Sequence, residues 1–249
     1  MRPLITLFTD FGTADGYVAE MKGVLYDLAP NVEVVDLSHD VPPQNVERAR
    51  LAVARYWRRF PAQTVHLVVV DPGVGSERAA LAIASEGRFL VGPDNGVLSP
   101  ALLTSDAHAV KLAVPAHAAP TFHGRDVFAP AAAALARGVA IDSLGTPFST
   151  PVIRRTPNAV RSPDGALMGE VIAIDRFGNL VTNLVTTGDH IVEFARRRLP
   201  LRVTYGDVAP GTLVALVGSS GLVEIALRDG DAAQTLGAEV GAPVTLRPL

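Results

Sequence analysis

The stretch Val68-Val69-Val70-Asp71-Pro72-Gly73-Val74-Gly75-Ser76-Glu77-Arg78 decides how the rest of the chain is read. Its apolar, β-branched run reads as a buried strand that stops at an aspartate followed by Pro-Gly. In an open α/β sheet, ligands bind outside the carboxyl ends of the parallel strands, so a strand ending in an acid marks a candidate site. The same residues also make a plain turn in which Asp71 bonds its own backbone. The neighbouring segments have to choose between the two.

Outward from this stretch, residues 4–9 form a first expected strand that closes on Asp10-Phe11-Gly12, repeating the acid-then-glycine design. Residues 15–28 read as a helix, with Val18, Met21, Val24 and Leu25 on one face and Pro30 ending it. A strand over 32–37 runs into Ser38-His39-Asp40, a second helix spans 45–60, and the central strand spans 65–70. Further strands are expected at 80–84 and 89–91, the latter closing on Pro93-Asp94-Asn95-Gly96, and an Ala-rich helix at 128–136. Alternating strands and helices predict an α/β domain with a mainly parallel sheet and helices on both faces. After Pro151 the pattern changes to short, regularly spaced strands, which predicts a smaller all-β barrel. The breakers Pro157, Pro163 and Gly165 place the boundary so that the domains are 1–157 and 158–249.

Composition narrows the field. The chain has 249 residues, 48% hydrophobic and 19% charged, with a formal net charge of -3. That balance gives no electrostatic case for nucleic acid or an anionic membrane as partner. Cysteine is absent, which removes disulfides, thiol nucleophiles and cysteine metal sites. No apolar run is long enough to span a membrane and the N-terminal one is too short for a secretory signal, so a cytoplasmic protein is expected.

Chemistry concentrates at a few places. Asp10, Asp71 and Asp94 all follow strands, where carboxylates can bind hydroxyls, ligate a metal or act as a base. Asp94, in Pro-Asp-Asn-Gly, is read as a turn or cap residue. His123, in Thr121-Phe122-His123-Gly124-Arg125-Asp126, places a base and a flexible glycine before a helix. Arg78 can fold back on Asp71, either as a salt bridge or as part of a site. In the second domain, Asp175-Arg176-Phe177-Gly178-Asn179 offers an aromatic face and amide groups suited to a purine, or simply a hairpin turn. Gly218-Ser219-Ser220-Gly221, followed by Glu224, offers hydroxyls and an acid that fit a zwitterionic amino acid group.

Several templates fail. Arg78 stands where a dinucleotide fingerprint starting at Gly73 needs a small residue, and there is no P-loop or His-Glu-x-x-His. The Gly218–Gly221 turn lacks the spacing of a nucleophile elbow. The residues alone leave open a metal-dependent nucleosidase or phosphatase using Asp10, Asp71, Asp94 and His123 on Mg²⁺ or Ca²⁺. They equally leave open a nucleoside-binding module without chemistry.

Taken in order, Thr9-Asp10-Phe11-Gly12, Asp71-Pro72-Gly73-Val74-Gly75 with Arg78, Pro93-Asp94-Asn95-Gly96, His123-Gly124-Arg125-Asp126 and Asp175 with Phe177-Gly178-Asn179 resemble one family. It is the S-adenosyl-L-methionine (SAM) hydroxide adenosyltransferases, relatives of the fluorinases and chlorinases. The resemblance covers nearly the whole chain. It implies hydrolysis of SAM to adenosine and L-methionine by in-line attack of water on C5′. No metal or cofactor is implied, and the assembly would be a homotrimer with active sites between subunits. By the same resemblance Asp71, Arg78 and His123 orient the water, and Asp10 holds the ribose hydroxyls. Asn179 reads adenine with Phe177 lining that pocket. Asp175, Ser219 and Ser220 hold the methionine end, and Glu224 and Ala226 lie near the adenosine. The halogenases carry a tyrosine where Asp71 stands and tryptophans near Gln44 and Val181. A carboxylate at 71 repels halide, so water is the expected nucleophile.

Overall fold

Strands apolar on both sides have to be covered on both sides, and this decides the architecture of the first half. In the computed structural model, which describes residues 2–249, contacts divide the chain into one unit ending at Arg155 and another spanning Thr156–Leu249. The first unit runs β1 (Leu4–Thr9), α1 (Tyr17–Leu28), β2 (Glu33–Ser38), α2 (Val46–Tyr56), β3 (Val65–Val69), β4 (Ala80–Ser85), β5 (Arg88–Pro93), α3 (Ser99–Leu102), β6 (His108–Leu112), α4 (Ala129–Ala136) and β7 (Gly145–Pro147). They form a seven-stranded sheet ordered β2-β1-β3-β5-β4-β6-β7.

Alternation along the strands sorts the core into two layers. Ile5, Leu7, Leu67 and Val69 pack against α1 and α4, through Met21, Leu25, Ala132 and Leu135. Phe8, Val68 and Val70 face the other way, against Val46, Ala49, Val53 and Trp57 of α2 and its continuation. Helices thus cover both faces, as expected. The sheet is parallel through β2-β1-β3-β5 and antiparallel beyond. The change comes from the β4–β5 hairpin, whose two-residue turn holds Glu86 at φ 47° and Gly87 at φ 69°. A turn of that kind can only join antiparallel neighbours.

Local chemistry sets the helix ends. Asn45 caps α2 by accepting the backbone N–H of Arg48 at 2.9 Å. The expected helix over 45–60 tightens after Tyr56 into a 3-10 turn, Trp57–Arg59. Inside the α2-covered layer, His66 shares a hydrogen bond with Thr6 Oγ1 at 2.7 Å and packs on the rings of Tyr56 and Phe60. Burial pushes its pKa down to about 4, so it sits there neutral.

The second unit contains β8 (Val160–Arg161), β9 (Leu167–Ile174), β10 (Leu180–Thr182), β11 (His190–Phe194), β12 (Arg197–Arg202), β13 (Leu213–Val217), β14 (Val223–Leu227), α5 (Ala232–Leu236) and β15 (Pro243–Pro248). The order β10-β14-β13-β12-β11-β15-β9 closes through the β9–β10 pairing, so the strands form a barrel with β8 appended to β9. Val171, Leu180, Val192, Ala215, Ile225 and Leu246 fill it. A strand expected over 201–205 ends instead at Arg202, before a 3-10 turn at Tyr205–Asp207. The pattern of 190–200 gives no strong strand signal, because Arg196, Arg197, Arg198 and Pro200 interrupt it. It nonetheless folds as the β11–β12 hairpin, carried by Val192 and Phe194 on the buried side.

Candidate active site

Asp71 leaves the sheet directly after β3, and its loop returns to β4 at Ala79. Arg78 closes this loop with a two-pronged contact on the Asp71 carboxylate: Nε donates to Oδ1 at 2.9 Å and Nη2 donates to Oδ2. The side chains are 9% and 5% exposed, so both charges are withdrawn from water and depend on each other. The guanidinium also lies 5.2 Å from the Phe128 ring centroid. Gly75, at φ 76°, passes so near the next segment that a Cβ there would stand 2.5 Å from the Pro120 carbonyl. Glycine at 75 therefore allows the loop to lie against the segment that carries His123.

His123 precedes a single π turn, Gly124–Phe128, which leads into α4. Its Nδ1 lies 3.0 Å from Arg78 Nη2. A guanidinium only donates, so Nδ1 accepts and the ring proton belongs on Nε2. Burial first, and then the Arg78 charge, lower the His123 pKa, with Asp71 and Asp126 opposing. The trio is thus a carboxylate, a guanidinium and a neutral imidazole whose remaining N–H is a donor. Asp126 and Arg125 brace the π turn: Asp126 Oδ2 accepts the Ala119 N–H at 2.8 Å, and Arg125 Nε donates to Asp126 Oδ1 at 2.7 Å.

Asp10 emerges on the same rim, because the parallel register pairs Thr9 with Val69. Its Oδ2 accepts the Gln44 N–H at 2.6 Å, with Gln44 at φ 63°. Thr9 Oγ1 meets His39 Nδ1 at 2.9 Å, and the Gly12 N–H donates to the His39 carbonyl at 2.9 Å. Asp10 is therefore bracketed on both sides by residues anchored on His39. An open groove of about 460 Å³ adjoins it, lined by Pro43, Gln44, Asn45, Glu47, Pro72 and Arg154.

The second unit holds the other expected residues. Asp175 Oδ1 accepts the N–H groups of Phe177 and Asn179 at 2.8 and 3.0 Å, and Oδ2 accepts Asn179 Nδ2 at 3.0 Å. Its carboxylate therefore organises its own turn and presents Asn179. Gly178, at φ 79°, has no room for a side chain, because Asp231 occupies that place. Phe177 stands 74% exposed beside this turn. The antiparallel register of β10 and β14 pairs Leu180 with Ile225 and Val181 with Glu224, which sets Asn179 opposite Ala226. Ala226 is buried with Val214 and Leu216, so only its backbone is on offer to a ligand. Ser219 and Ser220 form the tip of the β13–β14 hairpin, closed by Gly218 N–H to the Leu222 carbonyl at 2.9 Å. Glu224 is buried just behind the tip, where the missing side chain of Gly218 makes room for its carboxylate.

Two residues here escaped the sequence reading. Tyr205 donates its hydroxyl to Glu224 Oε2 at 3.1 Å, and its pKa is raised by burial, then by the Glu224 and Asp175 carboxylates. The signal available was weak: a Thr204 to Asp207 capping box marks a turn and not a strand end. Asp231 caps α5 through the Gln234 N–H at 2.7 Å and seats that helix on the Phe177 turn. Asp94, expected as a local turn or cap residue, instead accepts the distant Val152 N–H at 2.8 Å. Among the described residues no three His, Asp or Glu side chains converge as a metal-ligating group.

The first unit thus carries a charged trio on the rim of an α/β sheet, and the second carries an exposed aromatic ring and amide groups on a β-barrel turn. The family model of the SAM hydroxide adenosyltransferase N-terminal domain matches residues 5–145, and that of the C-terminal domain matches 169–245. The chain belongs to the SAM hydroxide adenosyltransferase family. It is 42% identical to the (R)-S-adenosyl-L-methionine hydrolase of Thermus thermophilus over 99% of this chain and 100% of that protein. It is 41% identical to the enzyme of the same name from Salinispora tropica, over 96% and 95% of the two chains. A conserved protein from Thermotoga maritima has the same fold, with a TM-score of 0.88 at 32% identity, over 98% of this chain and 100% of that one.

Proposed function

We propose that this protein hydrolyses S-adenosyl-L-methionine to adenosine and L-methionine, and that it prefers the (R)-sulfonium epimer named in its relatives. The observation that carries the reading is the buried Asp71–Arg78–His123 trio. The oxygen of one water forms a bond to C5′ while the C5′–S bond breaks, and the sulfur keeps the electron pair as a neutral thioether. A sulfonium needs no acid to leave, so the site's task is to aim one water and exclude others. Orientation of this kind can be worth about 7–11 kcal/mol. Asp71 accepts from the water and takes its proton as the C–O bond forms. His123, with Nδ1 committed to Arg78, donates its Nε2–H to the same oxygen. Arg78 holds both partners through its guanidinium.

In this reading the α/β part supplies the water-orienting groups and Asp10 for the ribose hydroxyls. The barrel part supplies Phe177 and Asn179 for adenine, with Ser219, Ser220, Glu224 and the Asp175 turn for the remaining contacts. The functional assembly is a homotrimer with its sites between neighbouring subunits. The exposed Phe177 ring is free to stack on adenine in that assembly. The reaction uses no metal ion and no cofactor.

The test is incubation with each sulfonium epimer, with and without halide and with EDTA, followed by chromatography for adenosine, halo-adenosine and methionine. Adenosine and methionine in equal amounts, unaffected by EDTA, are expected. Adenosine production abolished by EDTA supports the metal-dependent alternative, and tight adenosine binding without product supports the binding module.

A further inference from the structure

The Pro93–Gly96 turn has no role in the chemistry above, yet two of its residues hold both ends of the loop that carries the trio. Asn95 Nδ2 donates to the Val70 carbonyl at 2.9 Å, one residue before Asp71. The Asp94 backbone N–H donates to the Ala79 carbonyl at 2.9 Å, one residue after Arg78. Without Asn95 the Val70 carbonyl, which lies past the last residue of β3, is a buried acceptor with no strand partner. The other end of the Asn95 amide is also engaged, its Oδ1 accepting the Val97 N–H at 3.1 Å. The turn is itself tied down from outside. Val152 N–H donates to Asp94 Oδ1 at 2.8 Å, and Arg154 Nε donates to the Asn95 carbonyl at 2.9 Å.

We propose that Asn95 is a positioning residue for the hydrolytic water, acting through Asp71: its amide N–H sets where the Asp71 carboxylate stands relative to Arg78 and His123. The inference rests on the hydrolase reading. A main-chain shift at Val70 passes directly to Asp71, while the Arg78 end stays fixed by Asp94 and Ala79. The trio would then be pulled open from one side only, and an error of about 1 Å in such a site can cost roughly a hundredfold in rate.

The test compares Asn95→Asp with Asn95→Ala. The aspartate keeps the acceptor for Val97 N–H but at neutral pH presents an oxygen, not a donor, to the Val70 carbonyl. The expected result is that kcat for Asn95→Asp at about pH 8 falls roughly ten- to a hundredfold, with KM within about twofold. Relative to wild type, this variant recovers as the pH falls, because a protonated carboxyl can donate to Val70 again. The alanine variant shows the loss without the recovery. A wild-type kcat in Asn95→Asp overturns the proposal, as does a loss confined to KM. A readout independent of turnover is the NMR titration of His123, assigned by its absence in His123→Gln. Withdrawal of the Asp71 charge, which opposes the depression of this histidine, lowers its pKa further in Asn95→Ala, the variant that adds no charge of its own. An unmoved His123 titration overturns the proposal even if the variants are slow. Should the wild type release no adenosine, the hydrolase reading falls, and the titration still decides the role of Asn95.

Discussion

The rim of the α/β sheet and the turn on the barrel, to which the proposed reaction assigns its two sets of groups, are built in opposite ways. At the rim the side chains of Asp71, Arg78 and His123 are buried and committed to each other, and the half-buried Asp10 is held by the Gln44 backbone. On the barrel Phe177 is open to solvent, and the polar groups of Asp175 and Asn179 brace a short loop. Groups that act on the reacting atoms gain from being fixed before the substrate arrives, since no reorganisation is then needed in the transition state. A recognition surface can stay open and be covered on binding. The two regions should therefore fail differently when altered: the rim in rate and stability, the barrel turn in affinity alone.

The largest effect is expected at Asp71. Replacing it with alanine should reduce single-turnover adenosine formation by about 10²–10⁴-fold while adenosine still binds, as calorimetry would show. Next is Arg78→Met, which leaves a buried carboxylate unpaired and should destabilise the fold by about 3–5 kcal/mol in urea titrations. Removing both partners in Asp71→Ala combined with Arg78→Met should restore much of that loss, and a double variant as unstable as Arg78→Met would mean that the cost lies in losing the pair itself, not in the unpaired charge. His66 gives a pH effect of about 3 kcal/mol away from the site. Its folded pKa of about 4 lies below its unfolded value of 6.5, so the unfolded chain takes up the proton first. Stability is full above pH 6.5 and is lost as the pH falls from 6.5 towards 4, and His66→Phe should flatten the curve across that window. At the barrel, Phe177→Ala should weaken adenosine binding by about 1–3 kcal/mol with an unchanged melting temperature, because the ring is exposed. A drop in melting temperature there would erase the contrast between the two regions. The smallest change is expected for Ser219→Ala at the hairpin tip, about 0.5–1.5 kcal/mol in affinity for methionine-bearing ligands only.

The strand ends were the legible part of the sequence. Apolar runs closing on Asp10 and Asp71 could be placed on one rim because strands buried on both faces pair in parallel, and the alternation of helices fixed their cover. The antiparallel far half was not legible, since it depends on the Glu86-Gly87 turn, which no apolar pattern announces. The contact of Arg78 with His123 spans 45 positions and could not be read from spacing. Asp175 shows the limit most clearly. Its residue type and place suit a ligand contact, but three hydrogen bonds to its own turn can be seen only once the backbone is folded. Asp94 erred the other way: a local turn was expected, and the chain had carried Val152 back to it.

The most direct measurement is hydrolysis of the (R)-sulfonium epimer in ¹⁸O-water, with the products resolved by mass spectrometry. The account predicts one ¹⁸O atom in the 5′-hydroxyl of adenosine, unlabelled methionine, and labelled adenosine formed far more slowly by Asp71→Ala. Release of adenine instead of adenosine, or adenosine without the label, would contradict it.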